Sequence, residues 1–484
     1  MSAPRVMNFS ILWASLVDPS KMFSMALSLA SSPVPTITPG GSFYPPLHSL
    51  SYITDNKQGT FGGVYNAPAE KPTKDHSGDY DYCTMPHPSP KSYSAPTPVQ
   101  NHSVQAQLVY VEYMQRHQRR TPYNILPGGE DQPYECDNVF PYLYSGPADG
   151  DQSRASLPVY AQTYTDNTNP FVTGYVNGSC QYPQLTLGGV LDGHQHGRDL
   201  WAVYGEKMGL LPSSPKSPKV WFRSSSSALT QDSAGAVLRG IWPDHTGPLP
   251  LHQQAASVDT VNQGFSCAAR DKLLSNIQST EEWKRHLEAT QPLRHRLATL
   301  FKANTTDWMS SFDHFADNFQ ARLCNGYRLP CSLSNSSACA TADDAHEVFR
   351  AGDWEWNYWW HRNQHASQYI QLTEGLFLRE IVKRLGAVAQ GTLSRVYTHN
   401  FIHDGDLGPV LGALDIQQLR WPGMGSNIAF ELWKTSNAQY HVRVLYSGHA
   451  LRTAHGTLDW VPLSRVVDWL KPHVPDDIVS MCKS

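Results

Sequence analysis

The chain has 484 residues, of which 40% are hydrophobic, enough for two domains or for one large core that carries an insertion. Its formal net charge is only −4, from 38 Lys and Arg against 42 Asp and Glu. Dispersed cations on a nearly neutral chain argue against a nucleic-acid-binding surface, so any recognition of an anion must be local.

The N-terminal region is predicted to be a leader and an extended arm over residues 1–100. Two apolar runs, 7–17 and 22–30, are each shorter than the roughly 20 residues that a stable membrane span needs. Either run fits the apolar part of a signal peptide; a disordered leader or a misplaced start codon is the competing interpretation. Residues 31–100 are rich in Pro, Ser, Gly and Tyr and lack periodicity, which is typical of an arm.

The next part of the chain predicts alternating strands and helices. An apolar run at 108–111 predicts a strand, and apolar residues at roughly helical spacing predict a helix that begins near Gly188. A short strand is expected at 219–222 and a second helix at 233–241. This order favours βα units.

The middle of the chain is predicted to be mainly helical from 260 to about 385. Residues 366–385 show a clear 3.6-residue periodicity, and a Cys, Ser and Asn-rich loop is expected at 324–339. The aromatic-dense segment 348–362 is interpreted as core and interdomain packing; a ligand platform is the alternative.

The last part of the chain predicts strands again. A strand is expected at 394–399, a helix at 407–414, and β-like runs at 427–433 and 441–446. A helical region framed by βα segments on both sides indicates an α/β sheet domain that carries an inserted, mainly helical domain, which we place at 244–385.

Cysteines and glycosylation sequons indicate an oxidising compartment. None of the eight cysteines forms a CxxC pair or has the spacing of a zinc site. Their wide scatter favours disulfides between distant segments, including one near the C-terminus, with the pairing left open. Sequons occur at Asn101, Asn177, Asn304 and Asn335. Together these features predict a secreted protein or one in the lumen of the secretory pathway.

Three separate segments place phosphate-binding types of side chain at the ends of predicted strands. Guanidinium groups match phosphate oxygens in charge and planar geometry. Because ligands collect at the carboxyl ends of strands in open α/β sheets, we expect these segments to converge. The residues concerned are Arg116, His117, Arg120, Arg223, His403 and Asp404.

The run Arg116-His117-Gln118-Arg119-Arg120-Thr121-Pro122 resembles the RHGxRxP signature of the histidine acid phosphatases, with Gln118 in place of glycine. Two later segments resemble further motifs of that family in the right order. The first comprises Leu185-Thr186-Leu187-Gly188-Gly189 with His194, Gly197 and Leu200. The second is Phe222-Arg223-Ser224-Ser225 followed by Ser233-Ala234, and the late dipeptide His403-Asp404 completes the set. A second arginine and an aspartate common in the second segment are replaced here by Leu229 and Ser226.

The resemblance implies a fold and a reaction. The fold is a phosphoglycerate-mutase-like sandwich with a mostly parallel central sheet and the helical insertion, and residues 101–484 would form the catalytic unit. The reaction is hydrolysis of phosphomonoesters through a phosphohistidine on His117, without metal or other cofactor. Arg116, Arg120 and Arg223, with His403, would hold the phosphate, and Asp404 would protonate the leaving group. The expected partner is a small phosphorylated substrate or a phosphorylated glycan.

Several of these residues have competing interpretations. Arg119 is expected to face solvent, Arg223 also fits a capping or salt-bridge role, and Asp404 also fits a helix cap. Gln118 would project an amide towards or beside the pocket, because a side chain stands where the family has none. The alternative function is therefore an altered family member that binds or hydrolyses a carbohydrate-type substrate.

Overall fold

A mixed β-sheet forms the centre of the computed structural model, which describes residues 82–141, 159–164, 166, 168–169, 178–417 and 419–483. The predicted leader, most of the arm and the sequon at Asn177 lie outside these residues. The strands are β1 (Ala106–Arg116), β2 (Val220–Ser224), β3 (Cys331–Ser332), β4 (Asn335–Cys339), β5 (Tyr397–Ile402), β6 (Asn427–Thr435), β7 (Tyr440–Tyr446), β8 (His449–Ala450), β9 (Arg452–Thr453), β10 (Gly456–Thr457) and β11 (Val461–Pro462).

Helices cover the sheet. They are α1 (Thr97–Gln100), α2 (Leu187–Leu200), α3 (Ala228–Ile241), α4 (Ala268–Ile277), α5 (Glu281–Ala289), α6 (Gln291–Phe301), α7 (Thr306–Met309), α8 (Asp313–Cys324), α9 (Ala342–Asn357), α10 (Ala366–Thr373), α11 (Gly375–Ala389), α12 (Asp404–Ala413), α13 (Leu463–Leu470) and α14 (Ile478–Met481). Two helices continue as π-helical segments, α2 through Trp201–Lys207 and α9 through Tyr358–Arg362.

The sheet has a parallel half and an antiparallel half, in the order β11-β7-β6-β1-β5-β2. β5 pairs in parallel with both β1 and β2, and β6 pairs antiparallel to β1. The register places Arg116 opposite Ile402 and Ser224 opposite Phe401. The carboxyl ends of the three parallel strands therefore meet at one edge, as the sequence predicts. The α/β class is confirmed, with a sheet that is mixed beyond its three parallel strands.

Alternation along β1 divides the apolar side chains between two cores. Tyr110 and Met114 pack into a core shared with α4 to α12. Val111 and Tyr113 pack into the other core, with α2 and α3. Successive side chains of a strand point to opposite faces, so this strand is buried on both sides and carries helices on both.

The middle region contains more helices than its periodicity predicts. The predicted helix at 366–385 is two helices, α10 and α11, which meet at the buried Glu374. All described residues belong to one compact unit within 43–484, so a separate inserted domain at 244–385 stays a prediction. Within the described parts of the chain, no helix is long and apolar enough to cross a membrane.

Four disulfides join the cysteines: Cys83–Cys324, Cys136–Cys180, Cys267–Cys482 and Cys331–Cys339. The expected staple near the C-terminus is thus confirmed and joins Cys482 to the start of α4. The first disulfide attaches the end of the predicted arm to α8, and the neighbouring Tyr82 is fully buried. The arm from residue 82 onwards is therefore part of the packed body.

Candidate active site

A cavity of about 620 Å³ opens at the edge where the parallel strands end. It is lined by His117 and Arg120, which follow β1, and by His403 and Asp404, which follow β5. The rings of His117 and His403 lie 5.4 Å apart between centroids. Four of the six predicted site residues are thus brought together by the parallel pairing of β1 and β5.

His117 is held in a form that suits a nucleophile. Its Nδ1 lies 2.9 Å from the carbonyl oxygen of Gln118. Because a carbonyl oxygen can only accept, Nδ1 carries the proton and Nε2 keeps its lone pair. Burial lowers the pKa of His117 well below its ordinary value, and the charges of Arg116 and Arg120 lower it further. Burial and these charges therefore favour the neutral imidazole over the charged one.

Arg116 contacts the catalytic aspartate candidate and does not line the cavity. Its guanidinium is fully buried, with Nη2 2.8 Å from Asp404 Oδ2. Nη1 donates to the carbonyl oxygen of Pro422 at 2.5 Å and to the hydroxyl of Tyr82 at 3.2 Å. The buried guanidinium is thus bound to protein groups and orients Asp404, and its role as a phosphate ligand stays a prediction.

Arg120 presents its guanidinium to the cavity. Nη2 lies 2.6 Å from Asp317 Oδ1 on α8, and Nη1 donates to the carbonyl oxygen of Thr121 at 3.0 Å. The other oxygen of Asp317 accepts from the backbone N–H groups of Tyr123 and Asn124, each at 2.9 Å. The loop after β1 is therefore folded around one carboxylate, which fixes Arg120 in place as a preorganised cation.

Arg223 lies away from this cavity, which corrects its assignment as a phosphate ligand. Nη2 of Arg223 is 2.5 Å from Asp259 and Nη1 is 2.8 Å from Glu380. It lines a separate cavity of about 420 Å³. A side chain in the middle of a strand points to one face of the sheet, and at this position that face carries carboxylates. The salt-bridge interpretation is the one that the contacts support.

Leu229, which follows Arg223 in the same segment, does line the cavity beside His117. It lies in the first turn of α3, is buried, and lines the same cavity as His117. In the motif that this segment resembles, an arginine is common at this position. The strand-end segment does supply one polar contact, since Ser225 Oγ lies 3.1 Å from His403 Nε2. The site therefore has fewer cations than the sequence pattern predicts.

His403 and Asp404 begin α12. Burial lowers the pKa of His403 to about 4, and Arg116 and Arg120 act in the same direction against the opposing charge of Asp404. For Asp404, burial raises the pKa, but Arg116 and the indole N–H of Trp421, which donates to Oδ2 at 2.6 Å, bring it below its ordinary value. Sequence reasoning missed this tryptophan, because nothing in its local pattern marks it.

The helix cap of α12 is supplied by Asp406, not Asp404. Asp406 accepts from the backbone N–H of His403 at 2.8 Å and from that of Asn262 at 2.6 Å. A carboxylate at this third helical position satisfies amide groups that the helix start leaves open. The neighbouring Asp404 is thereby left to face the cavity, which removes the helix-cap alternative for it.

Gln118 does not enter the cavity, so of the two directions expected for its amide, towards the pocket or beside it, the structure excludes the first. The side chain is only 2% exposed and is not among the described residues that line the cavity. Its amide lies near Gly193 of α2, and its backbone N–H donates to Ser233 Oγ at 3.3 Å. The backbone at Gln118 is outside the left-handed region, so no glycine is required there.

Arg119 was expected to face solvent, and this expectation is wrong. The side chain is 1% exposed and contacts both oxygens of Asp192, from Nε at 2.7 Å and from Nη2 at 3.1 Å. A Cβ atom at Gly188 would come within 2.6 Å of its guanidinium. The glycine therefore lets α2 approach the loop closely enough for the ion pair, which gives a physical reason for that motif glycine.

Part of the aromatic segment 348–362 also reaches the cavity. Trp354 is buried in the core, as predicted for the segment. Trp356, Trp359 and Trp360 line the cavity with Trp421. Gly408 of α12 leaves room for two of these rings, since a Cβ there would lie 2.7 Å from Trp356. The packing interpretation therefore holds for only some of these residues.

The fold and the order of the motifs define a histidine phosphatase. The sequence profile of the histidine phosphatase superfamily (branch 2) matches residues 107–447, and the chain belongs to this family. The predicted family is thereby confirmed.

Two relatives and one solved structure are similar over much of the chain. Counting factor 60 of Dictyostelium discoideum is 25% identical over 288 residues, which cover 57% of this chain and 65% of that protein. 2-phosphoxylose phosphatase 1 of Rattus norvegicus is 24% identical over 387 residues, 76% of this chain and 75% of that protein. Hafnia alvei phytase in complex with tartrate has a TM-score of 0.50 at 12% identity, over 78% of this chain and 98% of that one.

Phosphate binding should distinguish Arg120, which lines the cavity beside His117, from Arg223, which lines a separate cavity. We expect Arg120→Met to weaken binding of inorganic phosphate about 10- to 100-fold, because one charge-assisted contact is lost. Arg223→Met should leave that affinity within about twofold and lower the melting temperature, because Asp259 stays buried without its partner. Calorimetric titration and thermal unfolding measure the two effects. Equal losses of affinity would contradict the separation.

Two buried carboxyl groups should make stability depend on pH. Burial raises the pKa of Glu374 well above its ordinary value, and burial raises that of Asp406 to about 7. A carboxyl group whose pKa is raised on folding favours the folded state most below its unfolded pKa of about 4, and this advantage is lost as the pH rises towards the folded value. The melting temperature should therefore fall between pH 4.5 and 7.5.

Glu374→Gln tests this directly, since an amide cannot ionise. We expect its melting temperature to fall less over the same range, by a few degrees, because about 1 kcal/mol shifts a large domain about 2–4 °C. Glu288→Gln, at an exposed position on α5, should follow the native curve. Parallel curves for the native protein and Glu374→Gln would refute the assignment.

Proposed function

We propose that the protein is a phosphomonoester hydrolase that acts through a phosphohistidine on His117. The observation that carries the proposal is that His117, whose Nδ1 lies against the carbonyl oxygen of Gln118, shares one cavity with Arg120, His403 and Asp404. A lone pair on Nε2, a fixed cation and a carboxyl group are the parts that two-step phosphoryl transfer needs. The similarity to 2-phosphoxylose phosphatase 1 supports the same class.

In the first step, Nε2 of His117 attacks phosphorus while the bond from phosphorus to the leaving oxygen breaks. Arg120 offsets the charge on the phosphate oxygens, and the N-terminus of α12 adds the positive end of a helix dipole. Asp404 gives its proton to the leaving alkoxide. Its lowered pKa makes this acid most available at acidic pH, and an incoming phosphate raises the pKa by adding negative charge beside it.

In the second step, water attacks the phosphohistidine and the phosphorus–nitrogen bond breaks. Asp404, now ionised, accepts a proton from the water, which releases phosphate and restores the neutral imidazole. Arg116 supports this step by fixing the orientation of Asp404.

The substrate we propose is a phosphorylated sugar or glycan that the protein encounters in the secretory pathway. Four disulfides support an oxidising compartment. The sequon asparagines Asn101, Asn304 and Asn335 are all exposed, as acceptors must be. A relative named 2-phosphoxylose phosphatase supports the sugar phosphate. Leu229 favours the second candidate, a family member that binds such a ligand and turns it over slowly or not at all.

Release of phosphate from an aryl phosphate tests the reaction. We expect His117→Ala to abolish it, and we expect the native protein to give, after an alkaline quench, a phosphoenzyme that this variant lacks, because the phosphorus–nitrogen bond of phosphohistidine survives alkali and not acid. Asp404→Asn should slow alkyl phosphates about 10²–10⁴-fold and aryl phosphates much less, because a phenolate leaves without a proton. Activity in the native protein equal to that of His117→Ala would leave only the binding function.

A cation restored at Leu229 should raise activity. We expect Leu229→Arg to increase kcat/KM for an aryl phosphate about tenfold or more, because a single charge-stabilising donor is typically worth about 10²–10³-fold and this one is not optimised. Leu229→Met, of similar volume and without charge, is the matched control and should change little. An unchanged rate in a folded Leu229→Arg variant would show that charge does not limit the site.

A further inference from the structure

We propose that the cavity beside His117 contains a subsite for a neutral sugar ring, so that the substrate is a saccharide with a single phosphate and not a polyphosphate. This inference rests on the proposed function and names its substrate class. Three independent features of the lining support it: the aromatic rings, the charges and the amide side chains.

The aromatic rings form a wall whose members are each fixed by another ring. Trp359 stacks on Trp283 at 5.6 Å, and Trp360 stacks on Tyr369 at 4.8 Å. Trp359 is half-buried, whereas Trp360 is buried. Rings held in this way keep their orientation when a ligand arrives, so little ordering entropy opposes binding. Flat aromatic faces suit the C–H faces of a pyranose or furanose ring, which are apolar.

The charges of the lining oppose a second phosphate. Arg120 is the one Lys or Arg among the described lining residues. The lining carboxyl groups belong to Asp307, Asp313, Asp317, Asp404 and Asp406. Of these, Asp317 is paired with Arg120, Asp404 with Arg116 and Asp313 with His314, and Asp406 caps α12. A polyphosphate would bring several further negative charges into a lining in which one arginine stands among five carboxyl groups, whereas neutral hydroxyl groups can donate hydrogen bonds to carboxyl oxygens.

Amide side chains add donors and acceptors for hydroxyl groups. Asn262, Gln263 and Gln278 all line the cavity. Asn262 and Gln263 have left-handed backbones, with φ of 55° and 46°. Residues other than glycine are strained in this conformation and persist where surrounding contacts hold them. Here Asn262 N–H donates to Asp406 at 2.6 Å and Gln263 Nε2 to the carbonyl oxygen of Gly405 at 3.2 Å. The strained pair is thus tied to the helix that carries Asp404.

Substrate comparison tests the subsite. The probes are a neutral disaccharide with one phosphate, glycerol 2-phosphate and myo-inositol hexakisphosphate. We expect kcat/KM of the native protein to be highest for the phosphorylated disaccharide. For the hexakisphosphate we expect a value at least about 100-fold lower. A preference for the hexakisphosphate would overturn the proposal.

Trp359→Ala isolates the aromatic wall. It should lower kcat/KM for the phosphorylated disaccharide about tenfold, mainly through KM, and leave glycerol 2-phosphate within about twofold. Trp359→Phe, which keeps a ring, should recover most of the loss and shows that the site still folds. Trp469→Ala is the matched control, because this indole is half-buried on α13, stacks on His455 and is not among the described residues that line the cavity. Equal losses on both small substrates would overturn the proposal.

A binding measurement separates this inference from the proposed reaction. If the native protein hydrolyses none of the probes, the reaction is refuted, but the subsite is still tested by calorimetric titration of the phosphorylated disaccharide into His117→Ala. Binding that weakens about tenfold when Trp359→Ala is added supports the subsite. Undiminished binding in the double variant, or no binding to His117→Ala alone, refutes it.

Discussion

The buried ion pair between Arg116 and Asp404 connects the end of the first strand to the start of the helix that follows β5. Removing one partner of such a pair typically costs about 3–5 kcal/mol, because the other charge stays buried. The pair forms only if β1 and β5 lie side by side in parallel with Arg116 opposite Ile402. This one ion pair therefore constrains three things together: the register of the sheet, the start of α12 and the orientation of Asp404.

The same arrangement recurs at each arginine of the motifs. Arg119 is paired with Asp192, Arg120 with Asp317 and Arg223 with Asp259. Arginines that resemble phosphate ligands in sequence are in this fold mostly structural cross-links. Only Arg120 is both paired and open to the cavity. Since the cavity also contains Leu229, the site depends on few cations, which sets it apart from a pocket built for a densely charged substrate.

Much of the fold could be predicted from the sequence, because apolar periodicity marks the strands and helices that build two cores. The convergence of His117, His403 and Asp404 followed from strand ends alone. The roles of Arg119 and Arg223 could not be predicted, because they depend on Asp192 and Asp259, whose positions only the tertiary structure reveals. For the same reason the approach of Trp421 to Asp404, and the direction of Gln118 away from the cavity, had no local signal.

The disulfide between Cys83 and Cys324 acts on both sides of the motif loop. The carbonyl oxygen of Cys324 accepts from Arg119 at 3.0 Å, and Tyr82, next to Cys83, contacts Arg116. The disulfide therefore supports, as a brace, the positions of Arg116 and Arg119, which lie on either side of His117. A chain whose Cys83 and Cys324 are still reduced would lack that brace, so the order of the motif loop is coupled to the redox conditions that the chain meets.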